Sequence, residues 1–177
     1  MDKEYYRGEE FWTAHKLWDS PPITDQLIKK AEARLGITLP ASYIELLKEQ
    51  NGGAINFPYF DLGDEELVID HLYGIDLDDA KLGIGMLASA AIIKKRKIPV
   101  PPSKVIIIWS DYYRFIGLDY RHTKENPPVI YLWEHDEEEN EWGGRRLARS
   151  FKEFLANLYR KPGRPKKIRT VYKQQIS

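Results

Sequence analysis

The tripeptide Asn51-Gly52-Gly53 divides the chain into two regimes of hydrophobic pattern, and that division constrains the fold more than any other feature. Before it, apolar residues recur at helical spacing. Leu27, Ile28, Ala31 and Leu35 share one face behind Thr24, a good N-cap, with Asp25 at the positive end of the helix dipole and Gly36 as the stop. Pro40, suited to a first turn, opens a second helix whose face is Tyr43, Leu46 and Leu47. After the tripeptide, segments 54–60, 67–73, 105–109, 115–120 and 129–133 are rich in β-branched and aromatic residues and are bounded by Gly, Pro, Asn or Asp. They read as strands.

Residues 86–97 interrupt the strands with a helical pattern that ends in Lys94-Lys95-Arg96-Lys97, a basic end suited to the negative pole of a helix. A last helix over 150–159 begins with a capping box, Ser150 and Glu153, ahead of Phe151, Phe154, Leu155 and Leu158. Helices first, a run of strands and a closing helix predict an α+β fold rather than a parallel crossover fold. The expectation is a single domain with a twisted, mostly antiparallel sheet of about five or six strands flanked by helices. Residues 1–20, with Phe11, Trp12, Leu17 and Trp18 ahead of Ser20-Pro21-Pro22, are expected as an arm or short helix, 21–159 as the domain and 160–177 as a basic tail.

Composition narrows the chemistry. The chain has no Cys, which excludes disulfides, thiolate metal sites and cysteine nucleophiles. No stretch approaches the ~20 apolar residues of a membrane helix. The N-terminus lacks the basic start and apolar centre of a secretory signal, so a soluble, cytoplasmic protein is expected. The formal net charge of zero conceals a segregation. Residues 160–177 hold Arg160, Lys161, Arg164, Lys166, Lys167, Arg169 and Lys173 and no acid, which leaves 20 of the 27 basic residues against all 27 acidic ones elsewhere, a net of −7.

Several separate motifs agree in order and spacing with one family. Ile23-Thr24-Asp25-Gln26-Leu27-Ile28, Leu35-Gly36-Ile37-Thr38-Leu39-Pro40-Ala41-Ser42-Tyr43-Ile44 and Gln50-Asn51-Gly52-Gly53 resemble the opening signature of the SUKH superfamily. The resemblance continues in Gly117-Leu118-Asp119-Tyr120-Arg121, in Pro127-Pro128-Val129-Ile130-Tyr131 and in 147–155, and so spans roughly residues 20–160. It marks Gly36, Leu39, Pro40, Tyr43, Asn51, Gly52, Gly53, Asp119 and Tyr120 as signature positions of an architectural kind. It implies an α+β fold and a role in protein recognition: bacterial members serve chiefly as immunity proteins that neutralise toxins, often nucleases or deaminases, and fungal relatives act in cell-wall signalling. Relatives commonly carry a Gly-His pair before the Leu-Asp-Tyr motif, where this chain has Tyr112-Tyr113.

Two stretches stand out as contact surfaces. Tyr112, Tyr113 and Arg114 fall at the tip of the hairpin expected between 105–109 and 115–120, and exposed Tyr and Arg are enriched at binding hot spots. Glu134, Asp136, Glu137, Glu138, Glu139 and Glu141, followed by Trp142-Gly143-Gly144, read as an acidic loop. It could imitate a phosphate backbone before a basic groove, or simply be a solvated loop.

Asp119-Tyr120-Arg121 could orient a ligand or form an internal network, and the network weighs more because buried Asp survives by hydrogen bonding. His15, His71, His122 and His135 show no metal-ligand spacing, and no catalytic motif or cofactor fingerprint is present, so no metal, cofactor or catalytic residue is expected. In the tail, Arg160-Lys161-Pro162-Gly163-Arg164-Pro165-Lys166-Lys167 resembles an AT-hook core, with Pro162 where an Arg normally precedes the Gly. The alternative is a solvated extension or one folded against the chain's own acidic surface. The leading expectation is a non-enzymatic domain that binds a protein toxin; the second is an interaction module whose tail binds nucleic acid or another anionic partner.

Overall fold

The computed structural model describes residues 2–15, 17, 19–78, 83, 100–111, 114–136 and 141–163, and for residues 134–136 the backbone alone. Among these residues the chain is α+β, with three helices and antiparallel strands. Helix α1 (Asp25–Leu35) starts where Thr24 Oγ1 accepts from Leu27 N at 3.1 Å. It ends at Gly36, whose φ of 69° lets its N–H turn back to Glu32 O at 2.8 Å. Helix α2 (Ala41–Glu49) follows Pro40 and buries Tyr43, Leu46 and Leu47. Both follow the sequence pattern. The helix expected over 86–97 lies outside the described residues.

The segments expected at 54–60 and 67–73 form one bent hairpin. Strands β2 (Gly53–Ala54) and β5 (His71–Leu72) pair at its open end, and β3 (Tyr59–Asp61) and β4 (Glu66–Val68) pair at its closed end. Between them four residues, 55–58, oppose two, 69–70, and Pro58 has no N–H to give to a ladder, so the hairpin bends there. The amino-terminal segment fills the outside of the bend. Asn56 N donates to Phe11 O at 2.8 Å and Thr13 N to Ala54 O at 2.9 Å, while Trp12 bridges Ile55. Ahead of it, β1 (Glu4–Tyr5) is strand, where the sequence suggests an arm or short helix. Phe11 is 1% exposed, so this segment is part of the core.

Strands β6 (Val105–Ser110), β7 (Arg114–Asp119), β8 (Val129–Asp136) and β9 (Glu141–Ala148) form an antiparallel meander. Ile106, Ile108, Ile116, Leu118, Val129 and Leu132 are buried along it. A bulge in β6 between Ile107 and Trp109 turns Ile108 O outward, where it accepts from Tyr73 N at 2.8 Å, just past β5. That bond links the two-stranded β2-β5 sheet to the edge of the meander, a separate four-stranded sheet, where the sequence reading expects one sheet of five or six strands. The third sheet, in the order β1-β10-β3-β4 with β10 at Tyr159–Arg160, lies beyond the bend.

Its strand β10 (Tyr159–Arg160) also shortens the last helix. Helix α3 (Phe151–Asn157) is capped as expected, with Ser150 Oγ accepting from Glu153 N at 3.1 Å. The helical pattern runs on to Tyr159, but Leu158 is extended, at ψ 140°, because Tyr159 pairs with both Tyr5 and Tyr59. Pairing on two sides outweighs one more helical turn. The helices close the core through aromatic contacts: Tyr43 meets Phe151 at 5.1 Å between ring centroids, and Phe60 stacks on Phe154 at 5.6 Å.

Candidate functional site

In a four-stranded meander the first and third turns emerge at the same end. The β6–β7 and β8–β9 connections therefore leave the sheet at the same end, and the sequence assigns Tyr112 and Tyr113 to the first and Glu137, Glu138 and Glu139 to the second. Those five residues lie outside the described ones. Glu134 and Asp136 belong to β8, paired with Trp142 and Glu141 of β9, so half of the expected acidic loop is strand.

Arg114 opens β7 opposite Trp133. Its backbone N donates to Asp111 Oδ1 at 3.0 Å and its Nε to Asp111 Oδ2 at 2.6 Å, while the guanidinium sits 5.9 Å from the Trp109 ring centre. The hydrogen bonds to the Asp111 carboxylate raise the guanidinium pKa further above its ordinary value. The result is a half-exposed cation held in one orientation at the sheet end, which lowers the entropy a partner must remove. Trp142 is less available than the sequence suggests. Its ring meets Phe115 edge-on at 5.3 Å and its Nε1 donates to Val100 O at 3.0 Å. It is half-buried against the meander.

The signature positions make contacts within the chain. Leu39 N donates to Glu32 Oε1 at 2.9 Å, Pro40 O accepts from Tyr43 N at 3.0 Å, and Tyr43 OH donates to Tyr73 O at 2.5 Å. The Asn51 amide reaches Pro21 O, Ile75 O and Ile75 N. Gly52, at φ 83°, lies against Gly74, so a Cβ there would fall 2.5 Å from Gly74 N. These contacts pack Asn51-Gly52-Gly53 against Gly74 and Ile75.

Asp119 is closed by its own neighbour. Arg121 donates to it from N at 3.1 Å, Nε at 2.8 Å and Nη2 at 2.9 Å, and Tyr120 OH donates to Thr38 O at 2.6 Å. The Arg121 hydrogen bond, against the opposing effect of burial, holds the Asp119 carboxyl below the usual carboxylate range. A carboxylate so depressed stabilises the fold above its unfolded pKa, and that contribution disappears as pH falls through its folded pKa. Arg121→Ala is therefore expected to cost about 1 kcal/mol at neutral pH, the discounted worth of a half-exposed charged hydrogen bond. Urea denaturation across pH should show the difference from wild type shrinking as acid protonates Asp119; a gap independent of pH would sink this account.

His71 is 1% exposed, with Nδ1 at 2.7 Å from Asp70 Oδ1. Burial pushes Asp70 up, but the His71 and Trp109 hydrogen bonds outweigh it and hold the carboxyl low. Among the described residues no group of three His, Asp or Glu could hold a metal ion. The first two cations of the basic tail are engaged with the chain's own acids. Arg160 pairs with Glu4 and Glu10, and Lys161 pairs with Glu66 and lies 4.3 Å from the Tyr59 ring centre. Residues 164–177 lie outside the described ones.

Sequence reasoning missed one element of this site, the strand β9, with Gly143 lying under Trp133. A Cβ at Gly143 would overlap the Trp133 indole, so the glycine is the seat of that ring. The Gly143-Gly144 pair, which lies opposite Trp133 and Leu132, was the available signal.

The family model described as SMI1 / KNR4 family (SUKH-1) matches residues 22–157. No curated protein and no solved structure matches the chain. No helix among the described residues is long and apolar enough to cross a membrane.

Proposed function

The chain belongs to the SMI1/KNR4 family (SUKH-1), and from that membership we propose that it is a non-enzymatic protein-binding domain that neutralises a bacterial toxin. One observation supports the choice of surface: Arg114 opens β7 at the end of the meander where β8 closes at Asp136 and β9 opens at Glu141, and on this reading Tyr112-Tyr113 and the acids 137–139 belong to the connections there. An aromatic and cationic anchor then lies beside a concentrated negative charge. That pairing suits a basic, nucleic-acid-handling surface such as a nuclease or deaminase toxin presents, because the acids steer the encounter and the anchor fixes it. The domain takes in β1 and Phe11 at one end and Arg160 and Lys161 at the other, since all of them contact it.

The test begins with the gene neighbourhood. A large secreted toxin encoded beside this chain supplies the C-terminal toxic domain for a binding measurement. The expected result is a stable complex and loss of toxicity, with association slowing as salt rises. Replacing Glu137, Glu138 and Glu139 with lysine should lower the association rate by at least about tenfold. A purified neighbouring toxin that neither binds nor loses activity would overturn the reading.

A further inference from the structure

A groove of about 560 Å³ opens between α2, α3 and the segment that follows β1, within the ~300–1,000 Å³ range of ligand pockets. Its floor is apolar, formed by Tyr6, Leu46 and Leu155, which also pack into the core. Its two walls differ in charge. Glu45 and Glu49, one turn apart on the exposed side of α2, line one wall, and neither makes an ion pair among the described residues. Lys152, exposed and equally unpaired, lines the α3 wall. Arg7 stands on that same side, because its Nη1 donates to Ala156 O at 3.1 Å and to Tyr6 O at 2.8 Å, which fixes the guanidinium at the rim. Gly8 keeps the adjoining rim open, since a Cβ there would meet nothing within 4 Å.

We propose that this groove receives an amphipathic helix of a partner protein, with basic residues one turn apart set against Glu45 and Glu49 and acidic residues set against Lys152 and Arg7. Charge selects this occupant. Unpaired acids on one wall and cations on the other favour a segment charged oppositely along its two flanks, and they fix the direction in which it lies. The lining favours a helix over a strand. No strand contributes to it, so an extended peptide finds no ladder to join, whereas a helix satisfies its own backbone and needs only an apolar stripe at i, i+3 or i+4, and i+7 to cover the floor. About two to three turns suffice, the length of the nine-residue α2 beside it. A second copy of the chain does not supply such a helix from its described residues, because α1, α2 and α3 each bury their apolar face in their own core. No residue of β6 to β9 lines the groove, so this surface and the end of the meander can be tested separately.

Fluorescence anisotropy with the full chain tests this. The probe is a labelled Ala-based peptide of about fifteen residues with Leu at i, i+4 and i+7, a pair of Arg one turn apart on one flank and a pair of Glu on the other. Saturable binding is expected, and a peptide of the same composition with its leucines scattered around the helix should not bind. Glu45→Arg together with Glu49→Arg should weaken binding about tenfold, and exchanging the Arg pair of the peptide for Glu should restore it. Lys152→Glu should respond in the same way to a peptide whose Glu pair is exchanged for Lys. All of these positions are exposed, so the variants should keep the wild-type urea midpoint. An absence of saturable binding, or binding indifferent to the reversal of Glu45 and Glu49, would overturn the proposal. Binding that appears only once the chain is cut after Gly163 would overturn it too, and would assign the groove to the chain's own tail.

Discussion

Asn51→Ala is expected to destabilise the fold by about 3–5 kcal/mol, because it strands two buried backbone groups at once. The Asn51 side chain donates to Pro21 O at 2.6 Å and to Ile75 O at 2.9 Å, and its Oδ1 accepts from Ile75 N at 2.7 Å. One amide thereby ties together the approach to α1, the exit of α2 and the segment that leaves β5. Ile75 is fully buried, so water cannot replace the lost partners. The cavity cannot close easily either, since Gly74 already lies against Asn51 so tightly that a Cβ on it would overlap the amide. Asn51→Asp keeps the acceptor and loses both donations, while placing a charge against two carbonyls, so it should be no better tolerated. A loss of this size is a large fraction of the ~5–15 kcal/mol that holds a typical domain together. Urea denaturation measures it, and a cost below about 1 kcal/mol would show that the three hydrogen bonds are replaceable.

Elements whose cause is local are the ones that can be read before the structure is known. Helix α1 is announced by Thr24 and Gly36, which cap it through their own backbone and side-chain geometry. Strand β6 is announced by an unbroken apolar run, and Val105 to Trp109 are all buried. β9 has no such local cause. Glu141-Trp142-Gly143-Gly144-Arg145-Arg146 contains no β-branched residue, and it is extended because β8 supplies its hydrogen bonds and Trp133 needs the space above Gly143. Tyr159 fails for a related reason: the capping box favours a helix there, and pairing with strands more than ninety residues distant overrides it. The candidate site inherits the gap. With β9 read as loop, nothing in the sequence brings Glu141 to the end of the sheet where Arg114 lies, and Trp142 looks free when Phe115 and Val100 already hold it.

The same hidden strand decides how the basic tail must be tested. Cutting the chain after Leu158 is expected to destabilise it by at least about 3–5 kcal/mol, the usual cost of removing a buried aromatic side chain. Tyr159 is fully buried between Tyr5, at 5.6 Å, and Tyr59, at 5.7 Å, and its hydroxyl donates to Glu66. Burial and the neighbouring Glu66 push that phenol far above its ordinary pKa, so it remains a donor across the working pH range. Without β10, β1 loses its one neighbour in the sheet and β3 loses one of two. Arg160 and Lys161 go with it, and Glu4, Glu10 and Glu66 lose their cations. A deletion of 160–177 therefore mixes lost charge with lost structure, and weaker nucleic-acid retention by such a variant would prove nothing about the tail. Cutting after Gly163 keeps β10 with both ion-paired residues and removes Arg164, Lys166, Lys167, Arg169 and Lys173 alone. If the tail binds nucleic acid through phosphate contacts, that shorter cut should abolish salt-dependent retention while the urea midpoint holds. Retention that survives the cut after Gly163 would refute binding through the tail, and a chain cut after Leu158 that unfolds at the wild-type midpoint would refute the structural role of β10.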